Sequence, residues 1–401
     1  MSKYRTYLEF VRYSLNPKDG KLEDVAEMDW EGFFLFAEEQ GILGMMYDGR
    51  WKMVDGRGKM VDGRGKGDDG FVDDLTLEWG FIAHQIEDQN RAVNVAAVKL
   101  LRSLRKRGFE GCTLKGQGNG LMYPNPYRRT PGDIDVWVRK GESLEVRGES
   151  LEDDVRGVIR FVKRRNPEAR AVYHHIDGGE IGGIDVEVHY RPSFMNNPIH
   201  NRRLQRWFGE KAPEQFGHWV TLPHTEITET TENKDFKICV PTREFNVVYQ
   251  LVHVLRHLLQ EGIGLRQIID YYFLLRKKRL EVSGYGLLRG EQWKETLRYL
   301  GLWKIAEAMM WVLSEVLGLE EEYLIAPKDE RLGRVLLAEI LNGGNFGQYD
   351  SDGKRKEEEG RVMKNWQRIR RDIRMMRYFP SECLWEPVFR VYHFFWRRRY
   401  N

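Results

Sequence analysis

Asp133 and Asp135 are where this sequence offers chemistry. They stand in TPGDIDVWV, residues 130–138, inside an apolar run. In a strand, residues two apart share a face. The two carboxylates therefore project together, while Ile134, Val136 and Val138 face the core. Two like charges held this close repel, and one of them tends to take a proton. A divalent cation removes the conflict. Mg²⁺ suits such a pair because it prefers oxygen ligands and is shared between one or two carboxylates and substrate phosphates.

A second strand, GIDVEVHY at 183–190, sets Asp185, Glu187 and His189 on one face by the same rule. Beside the first strand, either Glu187 or Asp185 would complete a set of three carboxylates. Such a set can hold two Mg²⁺ ions, orient an attacking hydroxyl and stabilise a leaving pyrophosphate. His189 could tune the neighbouring carboxylate or contact phosphate. Upstream, CTLKGQGNGLMYPNPYRRTPGD runs from a short apolar strand into Lys115, Gly116, Gln117, Gly118 and Gly120. A strand that ends in glycines and opens a helix presents backbone N–H groups to phosphate oxygens. The G-K-[ST] ending of a P-loop and the G-x-G-x-x-G dinucleotide spacing are both absent. Arg128 and Arg129 precede the aspartates and could clamp a triphosphate.

These motifs resemble the DNA polymerase β-like nucleotidyltransferase superfamily. LKG, YP, R-x-x-GDID and VEVHYRPS, with GIGLRQIIDYYFLL further on, are similar to its bacterial group of uncharacterised nucleotidyltransferases. The resemblance covers roughly residues 75 to 280. It implies Asp133, Asp135 and Glu187 as metal ligands, with Asp185 as the alternative third acid. It also implies Lys115, Gly116, Gln117, Arg129, His189 and Arg266 around the nucleotide. Two Mg²⁺ ions are the implied cofactor, with Mn²⁺ as a substitute. The implied partners are an NTP donor, ATP among them, and an acceptor that is a small molecule, a protein or an RNA end. The family's usual Gly-Ser is Gly116-Gln117 here, so a serine contact to phosphate is missing. The gap from Gly116 to Asp133 is also longer than the family's.

The surrounding elements follow from periodicity. YRTYLEFVRYSL and WEGFFLFAEEQGILGMMY carry helical spacing, and residues 74–106 predict one long amphipathic helix. GVIRFVKRRN reads as a helix. AVYHHID and IDVEVHY read as a hairpin around GGEIGG, and 236–240 as a short strand. PTREFNVVYQLVHVLRHLL begins a helical half. There His253, Arg256 and His257 fit a structural helix, and Arg266 with Asp270 an i,i+4 ion pair. KMVDGRG at 52–58 and 59–65, GESLE at 141–145 and 148–152, and the polar run at 343–360 read as surface loops. The expected fold class is α+β. A small mixed-sheet core at 109–240 would lie between an N-terminal helical region at 1–108 and a C-terminal helical domain at 241–401.

The chain of 401 residues has a formal charge of +3, too balanced for a dedicated nucleic-acid protein. The basic aromatic stretch at 361–379 and the FFWRRRY end read as a helix with its apolar stripe in the core, so nucleic acid is not favoured. Cys112, Cys239 and Cys383 have no metal spacing and suggest no disulfide framework. No apolar run approaches the roughly 20 residues of a membrane span, and the opening residues lack a signal-peptide core. A cytoplasmic location is expected. The expected activity is Mg²⁺-dependent transfer of an NMP to a hydroxyl. The rivals are a catalytically weak nucleotide- or RNA-binding partner of antitoxin type, and a metal-dependent phosphohydrolase.

Overall fold

The computed structural model describes residues 4–16, 28–51, 74–141, 151–223, 236–276, 290–343 and 361–401. Both KMVDGRG copies, most of the first GESLE copy and nearly all of the 343–360 run lie outside these residues.

The described chain is α+β. Four helices lead: α1 (Arg5–Leu15), α2 (Trp30–Glu39), α3 (Leu43–Trp51) and α4 (Asp74–Arg105). The apolar stretch at 30–47, which carries helical spacing, forms two helices. Gly41, at φ +66°, takes a left-handed conformation that ends the first of them. The long helix α4 is as predicted. Trp79, Ala83, Ile86, Asn90, Val93, Ala97, Leu101 and Leu104 recur at helical spacing along its buried stripe.

After α4 come β1 (Phe109–Leu114), the single-turn α5 (Gly116–Gly120), β2 (Ile134–Lys140), α6 (Leu151–Lys163), β3 (His175–Ile181) and β4 (Ile184–His189). The sheet order is β1-β2-β4-β3. β2 and β4 run parallel, as the α6 crossover between β2 and the hairpin permits, and the outer pairs are antiparallel. The hairpin differs from its sequence reading. β3 continues through the glycines to Ile181, with a register shift between Asp177 and Glu180, and the tight turn is Gly182-Gly183 alone. Gly178-Gly179 is absorbed within the strand at that irregularity.

Both faces of β2 are covered. Val136 and Val138 are buried, α6 packs against β2 and α4 against the neighbouring β1. On the opposite face Trp137 packs 4.8 Å from Phe216 and stacks 5.7 Å from Phe245. Phe216 belongs to α7 (Pro198–Gly217) and Phe245 to α8 (Arg243–Gln260). A two-stranded sheet, β5 (Trp219–Thr221) with β6 (Lys237–Cys239), lies between these helices in sequence. The helical half continues with α9 (Leu265–Arg276), α10 (Gly290–Tyr299), α11 (Trp303–Trp311), α12 (Glu330–Gly343), α13 (Arg361–Met376) and α14 (Pro380–Tyr400). A single cluster of buried apolar side chains runs from Tyr7 to Trp396. No described helix is long and apolar enough to cross a membrane.

Candidate functional site

A cleft opens where β2, the 115–120 loop and helices α8 and α9 meet. Lys115, Gly116, Asp133, Asp135, Gln250, His253 and Arg266 are among its lining residues. The β2–β4 register sets Asp135 directly beside Glu187. Asp133, just before β2, is exposed to the cleft, whereas Asp135 is buried. Asp185 shares the face of Glu187 but sits further out, opposite Glu180, and is exposed. Of the two acids left open by the sequence, the structure places Glu187 against the pair. Gly132 has no positive φ, and a Cβ there would meet nothing, so the approach to the acids does not require glycine.

The environments of the two aspartates push them apart. Asp135 Oδ2 lies 2.9 Å from Lys115 Nζ and Oδ1 lies 2.8 Å from His189 Nε2. Burial alone would raise its pKa, but Lys115 and then His189 hold it well below the usual carboxylate range. No hydrogen bond or ion pair to Asp133 is found among the described residues. Loss of hydration in the cleft, followed by the Asp135 charge, lifts it to about 6. His189 also reaches Glu187 Oε2 at 3.4 Å. Burial would lower the His189 pKa, but its bonds to Asp135 and Glu187 raise it. The donor atoms of Asp135, Glu187 and His189 lie within 4.8 Å of one another, a set able to hold a divalent ion.

Lys115 is itself unusual. Its φ is +51° with ψ −139°, and Gly116 follows at φ +43°. The glycine has open space around its missing Cβ, so conformation rather than crowding calls for it. A lysine held in a sparsely populated conformation marks a loop whose shape the surroundings impose.

Other expected site residues are engaged elsewhere. Gln117 is buried and donates to Asn94 Oδ1 and the Asn90 carbonyl. Arg128 pairs with Asp48 (2.9 Å) and Glu87 (3.4 Å), away from the acids. Arg129 donates to Asp270 through Nε and Nη2, both at 2.8 Å. Tyr123 (2.7 Å) and Asn119 (3.0 Å) also donate to Asp270. Asp270, expected as the i,i+4 partner of Arg266, thus also takes partners from other elements. Arg266 lines the cleft, donating to the Thr130 carbonyl (3.2 Å). Burial, then the nearby Arg129 charge, lowers its pKa to about 10.

Asn119, Gln250 and Gln267 also line the cleft and were not singled out from the sequence. Gln250 donates to Asn119 Oδ1 at 3.0 Å, extending the polar network from α8 to Asp270. Its signal in the sequence is a lone glutamine inside the apolar run VVYQLVHVL.

No protein of curated function matches the chain. Among solved structures it aligns with a crystal structure of an antigenic nucleotidyltransferase-like protein from Paracoccidioides brasiliensis. The identity is 14%, with 60% of this chain and 96% of that one covered. The TM-score is 0.30, too low to carry weight for the fold. The sequence profile described as "Uncharacterised nucleotidyltransferase" matches residues 26–318, a span that takes in the whole acidic cleft. The chain belongs to that family of nucleotidyltransferases.

Proposed function

We propose that the protein is a Mg²⁺-dependent nucleotidyltransferase that moves an NMP from an NTP to a hydroxyl-bearing acceptor. The observation that carries this reading is the β2–β4 register, which sets Glu187 against Asp135 at a cleft that Asp133 also lines. Asp133, Asp135 and Glu187 would hold the ions, because hard oxygen donors and an uncompensated acid suit Mg²⁺. When bound, the ions polarise the acceptor hydroxyl and offset charge on the departing pyrophosphate. The acceptor oxygen would bond to the α-phosphorus and give up its proton to solvent, while the bond from the α-phosphorus to the oxygen bridging it to the β-phosphate would break, that oxygen leaving with the pyrophosphate.

The chain's own residues supply the rest. Lys115 and Arg266 offer cations to the phosphates from the walls of the cleft. Gly116 opens the loop whose backbone faces them. Gln250 and His253 are on the wall formed by α8, where an acceptor would approach.

One observation favours a second reading, a nucleotide- or RNA-binding partner with weak chemistry. Lys115 and His189 already neutralise Asp135, which relieves part of the repulsion a metal would relieve. Thermal unfolding with each NTP, with and without Mg²⁺, separates the two. A ligand at about 100 times its Kd stabilises by about 2.7 kcal/mol. A Mg²⁺-dependent shift with an NTP, lost in Asp133→Asn, supports transfer chemistry. The same shift without Mg²⁺, or no shift at all, transfers support to the second reading.

A further inference from the structure

We propose that His174, His175 and His189 form a binding site for one transition-metal ion of the zinc class, adjoining the carboxylates assigned to magnesium and sharing His189 with them. This inference does not depend on the nucleotidyl-transfer reading.

Each of the three rings offers a nitrogen, and these nitrogens lie within 4.8 Å of one another. His175 Nδ1 and His174 Nε2 are 3.1 Å apart. Zn–N bonds of about 2.0–2.1 Å at tetrahedral angles place ligand nitrogens roughly 3.3 Å apart. The observed pair needs little adjustment. Antiparallel pairing of β3 with β4 places His175 directly opposite His189, and His174 precedes His175, so the fold itself builds the cluster.

One hydrogen bond, between His175 Nδ1 and His174 Nε2, joins two of the three imidazoles, and a ring nitrogen of the third stays unpaired. Nδ1 of His189 is buried without a hydrogen-bond partner among the described residues. A buried polar atom left unpaired is costly. His189 instead shows the arrangement of a metal-binding histidine. Its Nε2 is committed to Asp135 at 2.8 Å, which orients the ring and leaves Nδ1 for a ligand. Arg256 Nη1 lies 3.2 Å from His174 Nε2, marking that nitrogen as a lone-pair donor. Arg256 also reaches Ser193 Oγ at 3.4 Å and lies over the Phe194 ring at 4.4 Å, so it has other anchors when an ion takes that lone pair. Asp135 and Glu187 supply negative charge beside the cluster. His175 is 22% exposed and gives the ion a way in. Imidazole ligands favour Zn²⁺ and Co²⁺ over Mg²⁺, which distinguishes this seat from the acidic one.

The test uses the full chain, stripped with chelator and titrated with Co²⁺ as a visible surrogate for Zn²⁺. The expected result is an intense four-coordinate absorption that saturates at one ion per chain and is displaced by Zn²⁺. His175→Ala abolishes it, and Asp133→Asn retains it. Asp135→Asn weakens Zn²⁺ binding by about 10–100-fold, as loss of an orienting carboxylate does. Electron spin echo on the Cu²⁺-loaded wild type counts imidazole ligands without any variant, with three expected. The proposal is overturned by any of three results: no such absorption, an absorption kept in His175→Ala and lost in Asp133→Asn, or fewer than three imidazoles.

Discussion

Arg129 grips Asp270 with two parallel hydrogen bonds across 141 residues of sequence, tying the approach to β2 onto α9. Both side chains are buried, so the pair fixes one wall of the cleft against another. Removing one partner of a buried pair strands the other charge and costs about 3–5 kcal/mol. Asp270→Asn should lower stability by that order near neutral pH, measured by urea unfolding. Although burial opposes it, Arg129 depresses the Asp270 pKa below 3.8. Its contribution is therefore present above that value and lost as pH falls through the folded-state pKa. The gap between wild type and variant should close in strong acid, and a gap that persists there would contradict this account.

Lys115 has two possible clients, Asp135 and a phosphate. Lys115→Met keeps the length of the side chain and removes its charge. The free protein should then bind Mg²⁺ more tightly, because a competing cation has gone. Triphosphate affinity should fall roughly tenfold or more, the cost of one charge-assisted hydrogen bond. Calorimetric titration reads both. Unchanged Mg²⁺ affinity would show that Lys115 does not compete at Asp135.

Asp133 gives a pH signature. Its pKa is raised from 3.8 to about 6, so between those values the fold holds a proton that the unfolded chain releases. Stability from this group is present in acid and declines as pH rises through about 6. Mg²⁺·nucleotide binding needs the ionised form and so strengthens over the same window. Thermal shifts measured at about pH 5 and about pH 7 should differ in wild type, and that difference should vanish in Asp133→Asn.

Two glycines should respond with opposite signs. Gly116→Ala has room for its methyl group but must hold φ at +43°, costing about 1–2 kcal/mol and weakening triphosphate binding. Gly209, exposed within α7 and without positive φ, should gain about 0.5–1 kcal/mol on replacement by Ala. Melting temperatures of the two variants should move in opposite directions.

What the sequence revealed follows how local each determinant is. Helix α4 was legible because its apolar stripe repeats through residues almost free of Gly and Pro, and β2 because its aspartates interrupt an apolar run. The hairpin was misread at its turn. GGEIGG looks like one loop, yet Gly178-Gly179 is taken up at an irregularity in β3 that pairing with β4 maintains. Positions of the acids were legible from period-2 spacing, but that Glu187 rather than Asp185 lies beside Asp135 needed the β2–β4 register. No local pattern could assign Arg129 to Asp270, or Lys115 to Asp135, because those partners meet only through tertiary packing.

Helix α8 presents Gln250 and His253 to the cleft and Arg256, one turn further on, to His174. A packed helix moves as a rod, so a displacement at one of these positions is felt at the other. Occupancy of the two seats is then linked thermodynamically. Whatever factor an ion among the imidazoles imposes on nucleotide affinity, the nucleotide must impose on the ion's affinity in return.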